Sequence, residues 1–174
     1  EPHVSHYKLT LHFMTAMLLI TYIVWLIKLY SKQVKPPLEK GKFIKAYKWL
    51  SAFLFVLIIQ LIYGGFMAGK KASLFYPTFP DMNGQWFPDN TFLQSPTWIN
   101  FFENVTTIHV VHRSLPVVLL LFLGVFLVYL NRAKVKDALM NKFRACIVVI
   151  IVIQIILGAL TLVFTDGKVP VFWA

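Results

Sequence analysis

"ACIVVIIVIQIILGALTLVFT", residues 145–165, runs for 21 positions without a Lys, Arg, Asp or Glu. A helix rising 1.5 Å per residue needs about 20 residues to cross the roughly 30 Å hydrocarbon core of a bilayer. Three further stretches read the same way: 9–27, 49–69 and 114–131, of 19, 21 and 18 residues. The chain is 58% hydrophobic and 14% charged, whereas soluble domains carry about 25% charged residues. The fold class this predicts is all-α, a polytopic membrane helix bundle with four spans present. The single cysteine, Cys146, lies inside the last span, so no disulfide forms within the chain, and we read it as a packing residue.

Charge sets the threading. Segment 28–48 holds seven Lys and one Glu, and segment 131–144 holds five Lys/Arg and one Asp. The remainder balances at five of each sign, so the formal charge of +10 sits in two alternate loops. Basic loops stay cytoplasmic. Loop 70–105 and both ends are therefore expected on the outer side of a cell inner membrane. Segregation by loop also excludes nucleic acid as the reason for the basic composition.

This orientation places two histidines near the outer edge of the hydrocarbon. His12 follows Lys8 by one helical turn, and His112 is followed directly by Arg113. Ionisable side chains within a bilayer are costly and tend to be functional. A neutral imidazole is an axial ligand for heme iron, and a nearby cation suits the propionates. Two readings stay open on the residues alone: heme-binding histidines, or hydrogen-bonded interfacial anchors with snorkelling cations. His109 precedes His112 by three residues, but no third metal ligand is evident. His3 and His6 are expected to be solvated outside the span.

The chain also echoes itself. "LIIQLIYGG" (57–65) matches "IVIQIILGA" (151–159), pairing Gln60 with Gln154 and Gly64 with Gly158. Mid-span amides are expected to bond across helices. Gly64, Gly65 and Gly69 offer close helix packing or room for a flat ligand. Pro116 removes the donor to the His112 carbonyl and predicts a kink. The outer loop is rich in aromatics, including Trp86, Trp98, Phe101 and Phe102, and reads as an interfacial belt or as a lid. Asn104 reads as a helix N-cap.

Three stretches carry a resemblance. "GGFMAGKKASLFYPTFPDMNGQWFP" (64–88), "ENVTTIHVVHR" (103–113) and "VSHYKLTLH" (4–12) resemble segments of the heme A synthases. That family has eight spans in two four-helix halves, each offering two histidines to one heme. The resemblance implies that this chain covers spans four to seven. Residues 1–30 would be a transmembrane helix of the N-terminal half-bundle with its outer lead-in. Residues 31–47 would form a basic cytoplasmic loop. Residues 48–174 would belong to the C-terminal half-bundle, with helices at about 48–69, 106–131 and 144–165 and an outer loop at 70–105.

The resemblance further implies oxidation of a methyl of heme O to the formyl of heme A, for terminal oxidase assembly. His12 would ligate the substrate heme iron and His112 the iron of heme b, with Lys8 and Arg113 as propionate partners. The implied cofactor is heme b, with heme O as substrate. The implied partners are membrane lipid, heme O synthase and terminal oxidase assembly factors, and no nucleic acid. The family's catalytic carboxylate-x-x-His-Arg element is expected outside this chain. His109 stands at the corresponding place here. Lys8 replaces the usual Arg, Pro77 stands where Asn is common, and outer-loop cysteines are missing, so a thiol relay finds no support. Beginning at Glu1 and ending in "VPVFWA" (169–174), the chain is expected to be a piece of a longer protein, inactive alone. The alternative is a b-type cytochrome subunit that only carries electrons, with His12 and His112 on one heme.

Overall fold

The computed structural model describes residues 5–31, 40–133 and 138–165; the side chains of 40–45 and 138–140 lie outside that description. His3, much of the basic loop after the first helix and the C-terminal "VPVFWA" also fall outside it. Helices α1 (His6–Tyr30), α2 (Lys40–Gly69), α4 (Val105–Arg132) and α5 (Ala138–Thr165) are long, and α3 (Asn100–Glu103) is a single turn in the outer loop. All four long helices are long and apolar enough to cross a membrane. Among the described residues there is no strand; one antiparallel bridge, Met82 with Gln85, closes a turn of the outer loop.

The charge-free stretches mark the spans but not the helix ends. α2 begins at Lys40 and α5 at Ala138, well before the charge-free stretches that start at 49 and 145. Lysine is a good helix former, and its long stem lets the ammonium reach the interface while the backbone stays helical. Hydroxyls within the spans fold back onto their own helices: Thr15 donates to the Leu11 carbonyl, Thr21 to Met17 and Thr161 to Leu157, each at 2.8 Å. In lipid this satisfies the group without a neighbour.

α2 is the central element, packed against α1 on one side and α4 on another. Its contact with α1 is built on glycine. A Cβ on Gly65 would lie 2.5 Å from Thr10 Oγ1, and one on Gly69 would lie 2.5 Å from His6 Cβ. The G-x-x-x-G pair therefore serves close helix approach rather than a ligand. Toward the inner end, α2 meets α4 through Trp49 and Phe122, with ring centroids 6.0 Å apart. α4 runs unbroken through Pro116. α5 bonds α4 near the inner end, where Arg144 Nη1 donates to Asn131 Oδ1 at 3.1 Å. The rest of α5 presents large apolar side chains outward, as expected of a lipid-facing or partner-facing helix.

The internal echo does not extend to packing. Gln60 Oε1 is buried with no hydrogen-bond partner in the protein, while Gln154 is exposed. Gly64 faces a histidine, whereas Gly158 faces open space.

Candidate functional site

The outer end of α4 is where the loop is strapped down. Asn104 caps the helix, its Oδ1 accepting from the Thr107 amide at 3.1 Å, as its sequence position predicts. Its Nδ2 donates to the Asn90 carbonyl at 3.0 Å. Thr107 Oγ1 accepts from the Phe92 amide at 3.3 Å, and Tyr76 OH shares a 3.1 Å hydrogen bond with Thr106 Oγ1. Tyr76 and Met82 of the loop pack against Val110 in a small buried apolar cluster. Trp86, Phe87 and Trp98 of the loop are exposed.

One turn further in, α4 presents His109, His112 and Arg113. The Arg113 guanidinium is largely engaged with the loop. Nη1 donates to the Asp81 carbonyl at 2.5 Å and to the Pro80 carbonyl at 3.5 Å, and Nη2 donates to the Tyr76 carbonyl at 2.8 Å. Nε donates to His109 Nε2 at 2.9 Å. One Nη2 hydrogen is left over from the five that a guanidinium carries. The sequence pattern pairs Arg113 with His112; the structure pairs it with His109.

His112 points toward α2. Its Cε1 lies 3.5 Å from where a Cβ on Gly64 would stand. Its Nδ1 is buried without a hydrogen-bond partner, and so is Oε1 of Gln60, one turn below Gly64 on α2. Buried polar atoms are normally satisfied, so a cluster of such atoms beside a glycine is a place where something else belongs. An imidazole with an unused nitrogen beside a helix stripped of its side chain fits the donor chemistry of a heme site.

His12 and Lys8 sit elsewhere. Both are exposed on α1. Thr10 and His6 face α2, and His12, two residues past Thr10, is turned about 200° around the helix axis. α2 lies between α1 and α4, so the two predicted histidines are not brought together. A hollow of about 370 Å³ opens on the outer loop beside Phe75, Tyr76, Met82 and Asp89 and includes neither histidine.

Sequence reasoning missed a second polar knot. His6, expected to be solvated, is buried, and its Nε2 donates to the Phe102 carbonyl at 3.0 Å. Helix packing at Gly69 pulls it in. Glu103 accepts from Tyr7 OH at 2.5 Å and from Lys70 Nζ at 2.5 Å, joining α1, α2 and α3. The Lys70 and Tyr7 hydrogen bonds hold the Glu103 carboxyl below the usual carboxylate range. The one sequence signal was the even balance of charges on the outer side.

The architecture is thus a multi-pass helical membrane protein in which His109, buried, and His112, half-buried, lie near the loop end of α4. Residues 1–172 match the sequence pattern of the COX15-CtaA family, cytochrome oxidase assembly protein. The chain belongs to that family. It is 37% identical over 163 residues to a heme A synthase of Wolbachia pipientis wMel, covering 93% of this chain and 44% of that protein. It is 34% identical over 164 residues to the heme A synthase of Wolbachia pipientis subsp. Culex pipiens, covering 93% and 46%. A heme A synthase of Bartonella quintana is 28% identical over 159 residues, covering 91% and 43%. The chain spans less than half the length of these curated relatives. No solved structure matches it.

Proposed function

We propose that this chain forms part of a membrane oxidoreductase of the heme A synthase type, oxidising a methyl of heme O to the formyl of heme A for terminal oxidase assembly. The observation that carries the reading is the half-buried His112 imidazole against Gly64, whose buried Nδ1 has no hydrogen-bond partner, in a chain that belongs to this family. His112 would hold a resident heme b, and His12 the substrate heme O. When bound, the heme at His112 supplies one-electron redox chemistry.

The chain's own residues do the rest. His112 presents a nitrogen with no competing partner. The Arg113 side chain, clamped to the loop carbonyls, keeps its positive charge and its remaining hydrogen close to the outer rim, where an acid group of the ligand would lie. The loop it holds down covers the outer end of α4 and limits water entry. On α1, Lys8 stands one turn outward of His12, with both exposed on a helix face turned from α2. That face is where the N-terminal half-bundle would supply a second wall, with α1 in one half and residues 48–174 in the other. Intervention of α2 between α1 and α4 supports two separate heme sites over one shared by His12 and His112. Sidedness follows the charges, with the basic loops cytoplasmic and loop 70–105 on the outer face of the inner membrane. Heme O synthase, as the source of substrate, and oxidase assembly factors, as takers of product, are the partners this chemistry requires.

A chimera tests the reading. This chain replaces the matching segment of the Wolbachia pipientis wMel heme A synthase, in a host that makes heme O. Extracted pigment is then analysed. Heme A, or a hydroxylated intermediate, is the expected product. A chimera that binds heme b, shown by its Soret band, but leaves heme O unchanged supports the electron-carrying alternative instead.

A further inference from the structure

His109 has no part in the reading above, yet it is the most deeply buried ionisable side chain described, with 0% of its surface exposed. Arg113 Nε donates to its Nε2 at 2.9 Å. A guanidinium only donates, so Nε2 carries the lone pair. The ring is the neutral tautomer with its hydrogen on Nδ1. That Nδ1 is buried with no hydrogen-bond partner in the protein. The surroundings fix a donor and leave it without an acceptor, which is costly for a buried polar group.

His109 and His112 are three residues apart on α4, so they share a helix face, with His109 about 4.5 Å nearer the outer end. Each has an unpartnered Nδ1. Tyr76, 5.8 Å away between ring centroids, backs His109 from the loop side. The loop carbonyls of Tyr76 and Asp81 accept from Arg113 instead, and none bonds the His109 Nδ1.

We propose that His109 is a ligand-binding residue whose Nδ1–H donates to an outward-facing carboxylate of an iron porphyrin held at His112, with Arg113 as the positioning residue that sets its tautomer. This deepens the reading above and rests on it. Arg113 supplies charge at the rim, and His109 supplies a neutral N–H donor whose tautomer is fixed. The recognised chemistry is a free acid group on the porphyrin edge.

The test compares two probes on the full chain in lipid nanodiscs: iron protoporphyrin IX, with two free acids, and its dimethyl ester, with none. Binding is followed by the Soret band. The unaltered chain is expected to favour the diacid. His109→Phe fills the same space without a donor and is expected to lose about tenfold or more in diacid affinity while leaving ester affinity unchanged. His109→Gln can accept from Arg113 and still donate, and is expected to restore most of the preference. Equal losses for both porphyrins in His109→Phe would reveal a purely structural residue and overturn the proposal. So would an unchanged preference, which would leave a buried water as the acceptor. Failure of the unaltered chain to bind either porphyrin overturns both this assignment and the heme reading beneath it.

Discussion

His112 and Gly64 face each other across the α2–α4 contact, the imidazole Cε1 standing 3.5 Å from where a glycine side chain would begin. That separation is ordinary van der Waals contact, so a methyl fits and a larger group does not. Gly64→Ala is expected to retain heme in the chimera, and Gly64→Leu to lose most of the Soret absorbance. Equal retention in both variants would detach Gly64 from the ligand.

The other two glycines answer to α1. At Gly65 the obstacle to a Cβ is the Thr10 side chain, whereas at Gly69 it includes the His6 backbone, with Cα at 2.6 Å. Backbone cannot rotate away, so Gly69→Ala is expected to destabilise more than Gly65→Ala, both within the range of about 1–3 kcal/mol for overpacking. Thermal unfolding in detergent, followed by circular dichroism, ranks the two. The reverse order would mean that α1 shifts as a body.

Arg113 is expected to act as a clamp on the loop. Lysine keeps the charge but not the fork of donors that reaches Tyr76, Asp81 and His109 together. In Arg113→Lys, residues 76–90 should be cut by protease at least several-fold faster than in the unaltered chain, as measured by limited proteolysis in nanodiscs. Equal rates would show that Asn104 and Thr107 hold the loop unaided.

The knot at Glu103 makes a pH prediction with a definite sign. Its folded carboxyl lies below the ordinary value of 4.5. The stability it contributes is therefore present above that value and lost as pH falls through the depressed folded one. The melting temperature should drop on acidification below about pH 4.5, and Glu103→Gln should flatten that drop. Because Glu103 is partly exposed, added salt should weaken the effect. An identical acid profile in Glu103→Gln assigns the loss to other carboxylates.

Separate sites predict separate losses. His112→Ala in the chimera should remove heme b, while His12→Ala should leave the heme b band and abolish heme O conversion. Extracted pigments and difference spectra distinguish the two. Loss of all heme from either variant would return the single shared heme to favour.

The spans were legible because hydrophobic length is a one-dimensional signal, and Asn104 because a cap is set by its own helix. His112 was legible as an apolar-run histidine; its setting against Gly64 was not, because two letters 48 positions apart carry no sign of contact. The engagement of Arg113 was not. Its acceptors are carbonyls 32 to 37 residues away, and carbonyls carry no letter in a sequence. His6 was misjudged for a related reason: Gly69 was legible as a helix-packing glycine, but its partner on α1, the backbone and Cβ of His6, was not. The repeat of Gln60 and Gln154 was visible as letters, but their environments differ because α2 is central and α5 is lateral.

The described tertiary polar bonds gather at the outer rim: His6 with Phe102, Tyr7 and Lys70 with Glu103, Arg113 with its loop. Toward the opposite ends, Trp49 stands against Phe122 and Arg144 bonds Asn131. Mechanically, the polar fastening described is concentrated at the loop end of the rods. A helix of 28 residues is a lever of about 42 Å, so a small tilt at one end sweeps several ångströms at the other. A ligand seated beside His112 would press on the loop end of such a lever.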